Sequence, residues 1–402
     1  MTTIVDVLGN TTAARHARAM QPAIAPLLGS AAETCSRLDL RGAPLPQKDW
    51  ADSGGMALTG YREGPALGVR GHPASAVRAS MAWLESLCGS HSLPGVELLG
   101  ERAAMAGLFR NAPVSCGGAM RLLPCAHDHV AVSLARPADH ALVPAIVEGD
   151  TGEDSWTALR RWALERTAAE VADRCQLLGV PAAPAGPTGQ QTARPWLSTQ
   201  RGGPRRRLRE RPRIVDLTSL WAGPLCARLL RLTGAEVTKI ESQHRPDGAR
   251  HGTPDFFTRM NDGSRYVSLD FTTREGRDQL HQLVADADVV LEASRPRALR
   301  HLGIDADELA ATGTIWLSIT ARGRGSDWVG FGDDIAAGAG LLADSDEVLP
   351  AGDALADPLA GVHGAVAVTA ALRTDRGWLL DLSMHETARL CARPANLPAD
   401  HR

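Results

Sequence analysis

At 402 residues the chain is long enough to bury two cores, which excludes a marginal mini-fold. Its 46 acidic and 43 basic side chains nearly cancel, so no overall field draws it to nucleic acid or to an anionic bilayer, and small molecules are the expected partners. The 7 cysteines form no C-x-x-C pair, which argues against a disulfide framework or a zinc knuckle and fits reduced thiols.

No apolar run approaches the roughly 20 residues that span a bilayer, and MTTIVDVLGNTTAARHARAM lacks the apolar stretch of a secretory signal. A cytoplasmic protein is therefore expected. Residues 1 to about 50 show weak periodicity. From 54 to 108 the chain repeats, in order though not in identity, the pattern of 339 to 390: GHPASAVRAS (71 to 80) lies beside ADPLAGVHGA (356 to 365), with Pro73 facing Pro358. Duplication explains this, with chance matching as its rival. Next, MRLLPCAHDHVAVSLA reads as two strands around a His-Asp turn, and SWTALRRWALERTAAEVADRCQLLG as an amphipathic helical stretch closed by Gly179, so 111 to 185 is expected to be a small α+β module. Between 186 and 212, Pro, Gly, Gln and then Arg replace apolar periodicity, which reads as a linker. Its RRRLRER run is read as solvated rather than nucleic-acid binding.

Beyond 212, strand and helix alternate. RIVDL, AEVTKIE, YVSLD, ADVVLEA and TIWLSIT are short apolar strands, and helices are expected over 222–234, 274–286 and around 297–311. The pattern predicts an α/β fold over 213 to 395: a doubly wound, mostly parallel, Rossmann-like sheet, accompanied by the smaller α+β domain.

Few residues invite chemistry. The loop SLWAGP sits between the first strand of that domain and its helix, with Gly223 positioned to let backbone approach a ligand and Pro224 expected to open the helix. Only one of the three glycines of a dinucleotide fingerprint is present, although Glu241 ends the second strand about where a ribose-binding acid would lie. An ordinary turn and a solvated Glu241 remain the alternative. Asp357, in GDALADPLAG, is expected to cap a long apolar helix with Pro358 following; the same position would hold a carboxylate ionised, as suits a nucleophile. Cys125, His127 and His129 would share a strand face able to hold a metal, but a turn with exposed imidazoles is the commoner outcome, and no metal is expected. Gly117 and Gly118 form either a simple loop or a flap whose amides close over a substrate oxyanion.

Together RIVDLTSLWAGPLCARLLRLTGAEVTKIE, FFTRMNDGSRYVSLDFTTREGRDQLHQLVADADVVLEASRPRALRHLGID, ADPLAG and RGWLLDLSMHE resemble the family III CoA-transferases, a group that also holds formyl-CoA transferase and α-methylacyl-CoA racemase. The resemblance implies transfer of CoA between an acyl-CoA and a carboxylic acid, with the CoA thioester as substrate, no tightly bound cofactor, and a homodimer. It makes Asp357 the match to the catalytic aspartate, which passes through a mixed anhydride and an aspartyl-CoA thioester. Trp221, Ala222 and Gly223 match a first CoA contact, Ser264 and Arg265 a second, and Ser294, Ala298, His301 and Leu302 the adenosine and pantetheine path. Gly117 and Gly118 match the glycine loop of the family's small domain, which here precedes the CoA-binding half. Residues 1 to 110 then read as a degenerate remnant of a first copy, with His72 where Asp357 stands in the second and 50 to 110 serving as scaffold. Trp221, Ser264, Ala293 and Thr320 stand where basic or amide contacts are expected, and Asp333 where the racemases carry histidine. An isomerase or racemase, and a non-catalytic CoA-binding subunit, are the alternatives.

Overall fold

A computed structural model describes residues 5–28, 37–89, 92–149, 152–186, 194–205, 209–294 and 296–393. Twelve strands occur in the described chain: β1 (Asp6–Leu8), β2 (Arg37–Asp39), β3 (Met120–Pro124), β4 (His129–Ser133), β5 (Ala182–Pro184), β6 (Leu197–Pro204), β7 (Arg213–Asp216), β8 (Glu236–Ser242), β9 (Arg265–Leu269), β10 (Val289–Glu292), β11 (Ile315–Thr320) and β12 (Arg376–Ser383).

The main sheet has the order β6-β12-β11-β10-β7-β8-β9, parallel throughout except for β6. Two apolar layers form because the short strands alternate their side chains: Ile214, Val289, Leu291, Ile315 and Leu317 face one core, and Val215, Ile240, Val290 and Trp316 face the other. The predicted α/β class is thus the observed one. Strand order reverses between β7 and β10, the kind of switch point at whose C-terminal edge open α/β sheets place their ligands.

Three local readings differ from expectation. The stretch read as a linker contains β6, antiparallel to β12, while its residues 187–193 and 206–208, part of the basic run included, lie outside the described residues. A polar edge strand, LSTQRGGP, carries no apolar alternation to betray it. Its Gly202 and Gly203 are required because a Cβ on either would stand 2.1 Å from a carbonyl oxygen of Ala310 or Ala311. The helical stretch after 155 is two helices, Ser155–Ala163 and Ala168–Leu177, the second opened by a Thr167–Glu170 capping box. The helix around 297–311 is likewise split, into Pro296–Arg300 and Ala306–Ala311, with Asp305 capping the latter.

The small module is the antiparallel sheet β3-β4-β5 packed on its helices. By contrast, the described residues between 5 and 99 form no core of their own. Met20, Ile24, Trp83 and Leu84 belong to the same buried cluster as Leu225, Leu359 and Leu380 of the main domain. Helix Pro73–Cys88 lies against the Ala356–Leu372 helix, which is apolar on every side and buried accordingly. Helix Leu98–Ala106 stands in the repeat where helix Met384–Ala392 stands, but residues 93 to 97 form no counterpart to β12. No helix among the described residues is long and apolar enough to cross a membrane.

Candidate active site

Asp357 lies at the C-terminal edge of the main sheet because its helix runs antiparallel to the strands before feeding β12. Helix Ala356–Leu372 has Leu355 as its N-cap, so Asp357 is inside the first turn rather than the cap itself. Its backbone N–H donates to the Ala354 carbonyl at 2.9 Å. Ala354 adopts a left-handed backbone with φ 44°, a costly conformation for a residue with a Cβ, held by its N–H donating to Asp333 Oδ1 at 2.8 Å.

Around this half-buried carboxylate the fold gathers Asp333, at the start of helix Gly332–Ala339, and Asp353, which is fully buried. Gly332 donates its amide to Asp357, and the approach is so close that a Cβ there would lie 2.4 Å from Asp357 Oδ2. Among the described residues, the cation that faces the three carboxylates is Arg102, from helix Leu98–Ala106. Its Nε donates to Asp353 Oδ2 at 2.8 Å, a second guanidinium nitrogen to Asp353 Oδ1, and the guanidinium lies 5.3 Å from the centre of the Trp221 ring.

Burial pushes the Asp357 carboxyl up to about 7; Arg102 opposes this, and Asp333 and Asp353 reinforce it. The sequence expectation of a firmly ionised Asp357 is therefore reversed. Helix amides are outweighed by desolvation and two like charges. Asp333 is pushed up to about 6, again by burial first and by Asp353 second. The Cys116 thiol, 3.5 Å from Asp353, is driven far upward by burial and by those same acids, which leaves it inert as a nucleophile at neutral pH.

The loop after β7 is rigid. Lys239, fully buried, bridges Asp216 at 3.4 Å and Asp247 at 3.3 Å, and Asp247 accepts from the Leu220 amide at 2.9 Å. Trp221 is buried, edge-on to Phe256, and Ala222 opens helix Ala222–Leu232, so Pro224 is its third residue rather than its first. Nor does Gly223 make room for a ligand: the space a Cβ would take is filled by Thr218, 2.1 Å away. Ser219 and Leu220 are the exposed members of this loop, and Leu220, at φ 71°, is one that sequence reasoning passed over. Glu241 is buried against Arg250 rather than free for a ribose.

Ser294 follows β10, the parallel neighbour of β7, and its hydroxyl donates to Glu292 at 3.1 Å. Glu292 also accepts from Trp316 Nε1 and Ser318 Oγ, both at 3.0 Å. Ala298 and His301 are exposed and Leu302 half-buried just beyond. Arg265 opens the edge strand β9, two strands from β7 and at the level of Val215, and Ser264 immediately precedes it. Gly117 and Gly118 are exposed above Arg102, with the Gly117 Cβ position 3.5 Å from the guanidinium; the Gly118 amide is already bonded to the Ser115 carbonyl at 2.8 Å. Cys125 is buried and His127 exposed at the tip of the β3–β4 turn, where they make no metal cluster among the described residues. A cavity of about 470 Å³ lies elsewhere, between helix Thr12–Leu28, residues 194–199 and helix Met384–Ala392.

Comparison with known proteins bears on the same half of the chain. Residues 211–397 match the model of CoA-transferase family III. An acyl-CoA transferase of Fusarium pseudograminearum is 32% identical over 203 residues, covering 44% of each chain. A formyl-CoA:oxalate CoA-transferase of Escherichia coli O6:H1 is 28% identical over 200 residues, covering 44% of this chain and 48% of its own. The chain thus spans about half the length of the curated relatives it matches. A crystal structure of a CAIB/BAIF family protein from Brucella suis is 29% identical with a TM-score of 0.42, covering 47% of this chain and 55% of that one.

Proposed function

We propose, from the match of residues 211–397 to the model of CoA-transferase family III, that this protein transfers CoA between an acyl-CoA and a carboxylic acid through covalent chemistry on Asp357. The observation that supports the reading is Asp357 itself, a carboxylate raised to about 7 within a cluster of buried acids at the C-terminal edge of a doubly wound sheet, with the Arg102 guanidinium fixed next to that cluster.

In the proposed cycle Asp357 Oδ attacks the thioester carbonyl carbon. The C–S bond breaks, CoA leaves as thiolate, and a mixed anhydride remains. The thiolate then attacks the aspartyl carbonyl, releasing the first carboxylate and leaving an aspartyl-CoA thioester. An acceptor carboxylate reverses the two steps and regenerates Asp357. Arg102 serves as a positioning cation that favours the ionised form of Asp357. CoA would extend between the Leu220–Trp221 loop and Ser294, toward Ala298 and His301, with Gly117 and Gly118 above the acyl end. Because Trp221 is buried and the Cβ space of Gly223 is filled by Thr218, we infer that the handle would be gripped by Leu220 and the residues beyond β10 rather than by the first helix turn.

Racemisation is the weaker reading, since the site pairs Asp357 with Asp333 instead of an imidazole. A homodimer belongs to the proposal and is read by sedimentation of the full chain.

The decisive measurement incubates the full chain with a panel of short acyl-CoAs, quenches in hydroxylamine, and examines the peptide holding Asp357 by mass spectrometry. A hydroxamate on Asp357, absent from Asp357→Asn, is the expected result. Turnover with that peptide unlabelled, or activity retained by Asp357→Ala, would remove Asp357 from the chemistry.

A further inference from the structure

Three buried histidines run in a chain beneath the site. His72 Nδ1 meets the Arg393 carbonyl at 3.1 Å, His72 Nε2 meets His16 Nδ1 at 3.0 Å, His16 Nε2 meets His363 Nε2 at 3.0 Å, and His363 Nδ1 meets the Leu359 carbonyl at 2.7 Å. Both ends are carbonyl oxygens, which only accept, so His72 and His363 must each carry their proton on Nδ1. That leaves the single N–H of a neutral His16 for the two inner contacts. Given to His72, it leaves the Nε2 lone pairs of His16 and His363 facing each other at 3.0 Å. Four contacts cannot be made with three protons, and one positive centre is missing from the chain.

The position of Cys391 decides where and what that centre is. Its Sγ and the ring nitrogens of His16 and His363 lie within 4.8 Å of one another, all three side chains are buried, and Cys391 Sγ makes no hydrogen bond among the described residues. We propose that His16 Nε2, His363 Nε2 and Cys391 Sγ form a binding site for a thiophilic divalent cation of the Zn²⁺ class. Two nitrogens and a thiolate are the donors such an ion takes, and the remaining tetrahedral position falls to a small ligand such as water. His72 and the Leu359 carbonyl act as the outer partners that metal-bound imidazoles use, each accepting the second ring N–H and so aiming Nε2 inward. Binding forms two N–metal bonds and one S–metal bond and releases the Cys391 thiol proton to solvent. A bare proton is a poor rival, because burial lowers the basicity of all three imidazoles.

The test uses the full chain produced in medium supplemented with Co²⁺, a spectroscopic stand-in for Zn²⁺. Folded wild type should carry one cobalt per chain and show a thiolate-to-Co²⁺ charge-transfer band in the near ultraviolet. The band should vanish in Cys391→Ser, fall in His363→Gln, and persist in Cys175→Ser. Wild type that folds yet shows no band, or a band that survives in Cys391→Ser, overturns the site and leaves the charge to a proton. This readout involves no acyl-CoA, so it stands or falls apart from the proposed activity.

Discussion

At the scale of single residues the site is an argument about charge. Asp357 keeps its proton in the folded chain up to about pH 7, whereas in the unfolded chain it is released near the ordinary carboxylate value. Folding is therefore favoured by this group below pH 4, and that contribution is lost as pH rises through 7. Asp357→Asn should raise the melting temperature at pH 8 by several degrees, at roughly 2–4 °C per kcal/mol, with the gain vanishing near pH 4 in calorimetric scans. On the proposed chemistry, the same titration should make labelling of Asp357 by acyl-CoA rise with pH through about 7. Arg102→Met should move that rise upward, slowing labelling at pH 7 about tenfold for each pH unit displaced while sparing it at higher pH. Arg102→Lys should restore most of the profile. Asp357 was legible from its Asp-Pro context, but its ionisation was not, because Asp333, Asp353 and Arg102 are far from it in the chain or hidden in an unremarkable stretch.

Elements explain why the cluster is so tight. Helices Gly332–Ala339 and Ala356–Leu372 are held nearly in contact by one missing Cβ, since the Ala354 carbonyl lies 2.2 Å from the Cβ position of Gly332. Gly332→Ala should force the two apart, costing about 1–3 kcal/mol in denaturant melts and an activity loss out of proportion to that cost. Parallel strands were readable as apolar runs bounded by turns, as in RIVDL and TIWLSIT. Strand β6 was not, because an edge strand needs no apolar face, and the helix breaks at Thr167 and Asp305 hinge on caps that interrupt an otherwise continuous pattern.

Over the whole molecule the N-terminal residues are more than scaffold. Helix Leu98–Ala106 supplies Arg102, Thr59 Oγ1 accepts from the Gly352 amide at 3.0 Å, and Met20 and Trp83 share a core with Leu359. A chain beginning at residue 111 should accordingly be insoluble or molten by near-ultraviolet dichroism, since Asp353 would lose its cation and the Ala356–Leu372 helix an apolar neighbour. The sequence repeat sets the Pro73–Cys88 stretch beside that of Ala356–Leu372, yet a residue-by-residue shift offers no warning that the two helices pack together or that the N-terminal part supplies the cation for Asp353.

Because the Arg102–Asp353 pair joins points 251 residues apart, the two portions of the polypeptide behave as reagents for each other. Synthesised as separate chains, divided in the segment before β6, neither would be competent alone, and their reunion would register as recovered turnover. The bidentate pairing of a guanidinium with a carboxylate thus makes this protein a candidate for reassembly-based reporting.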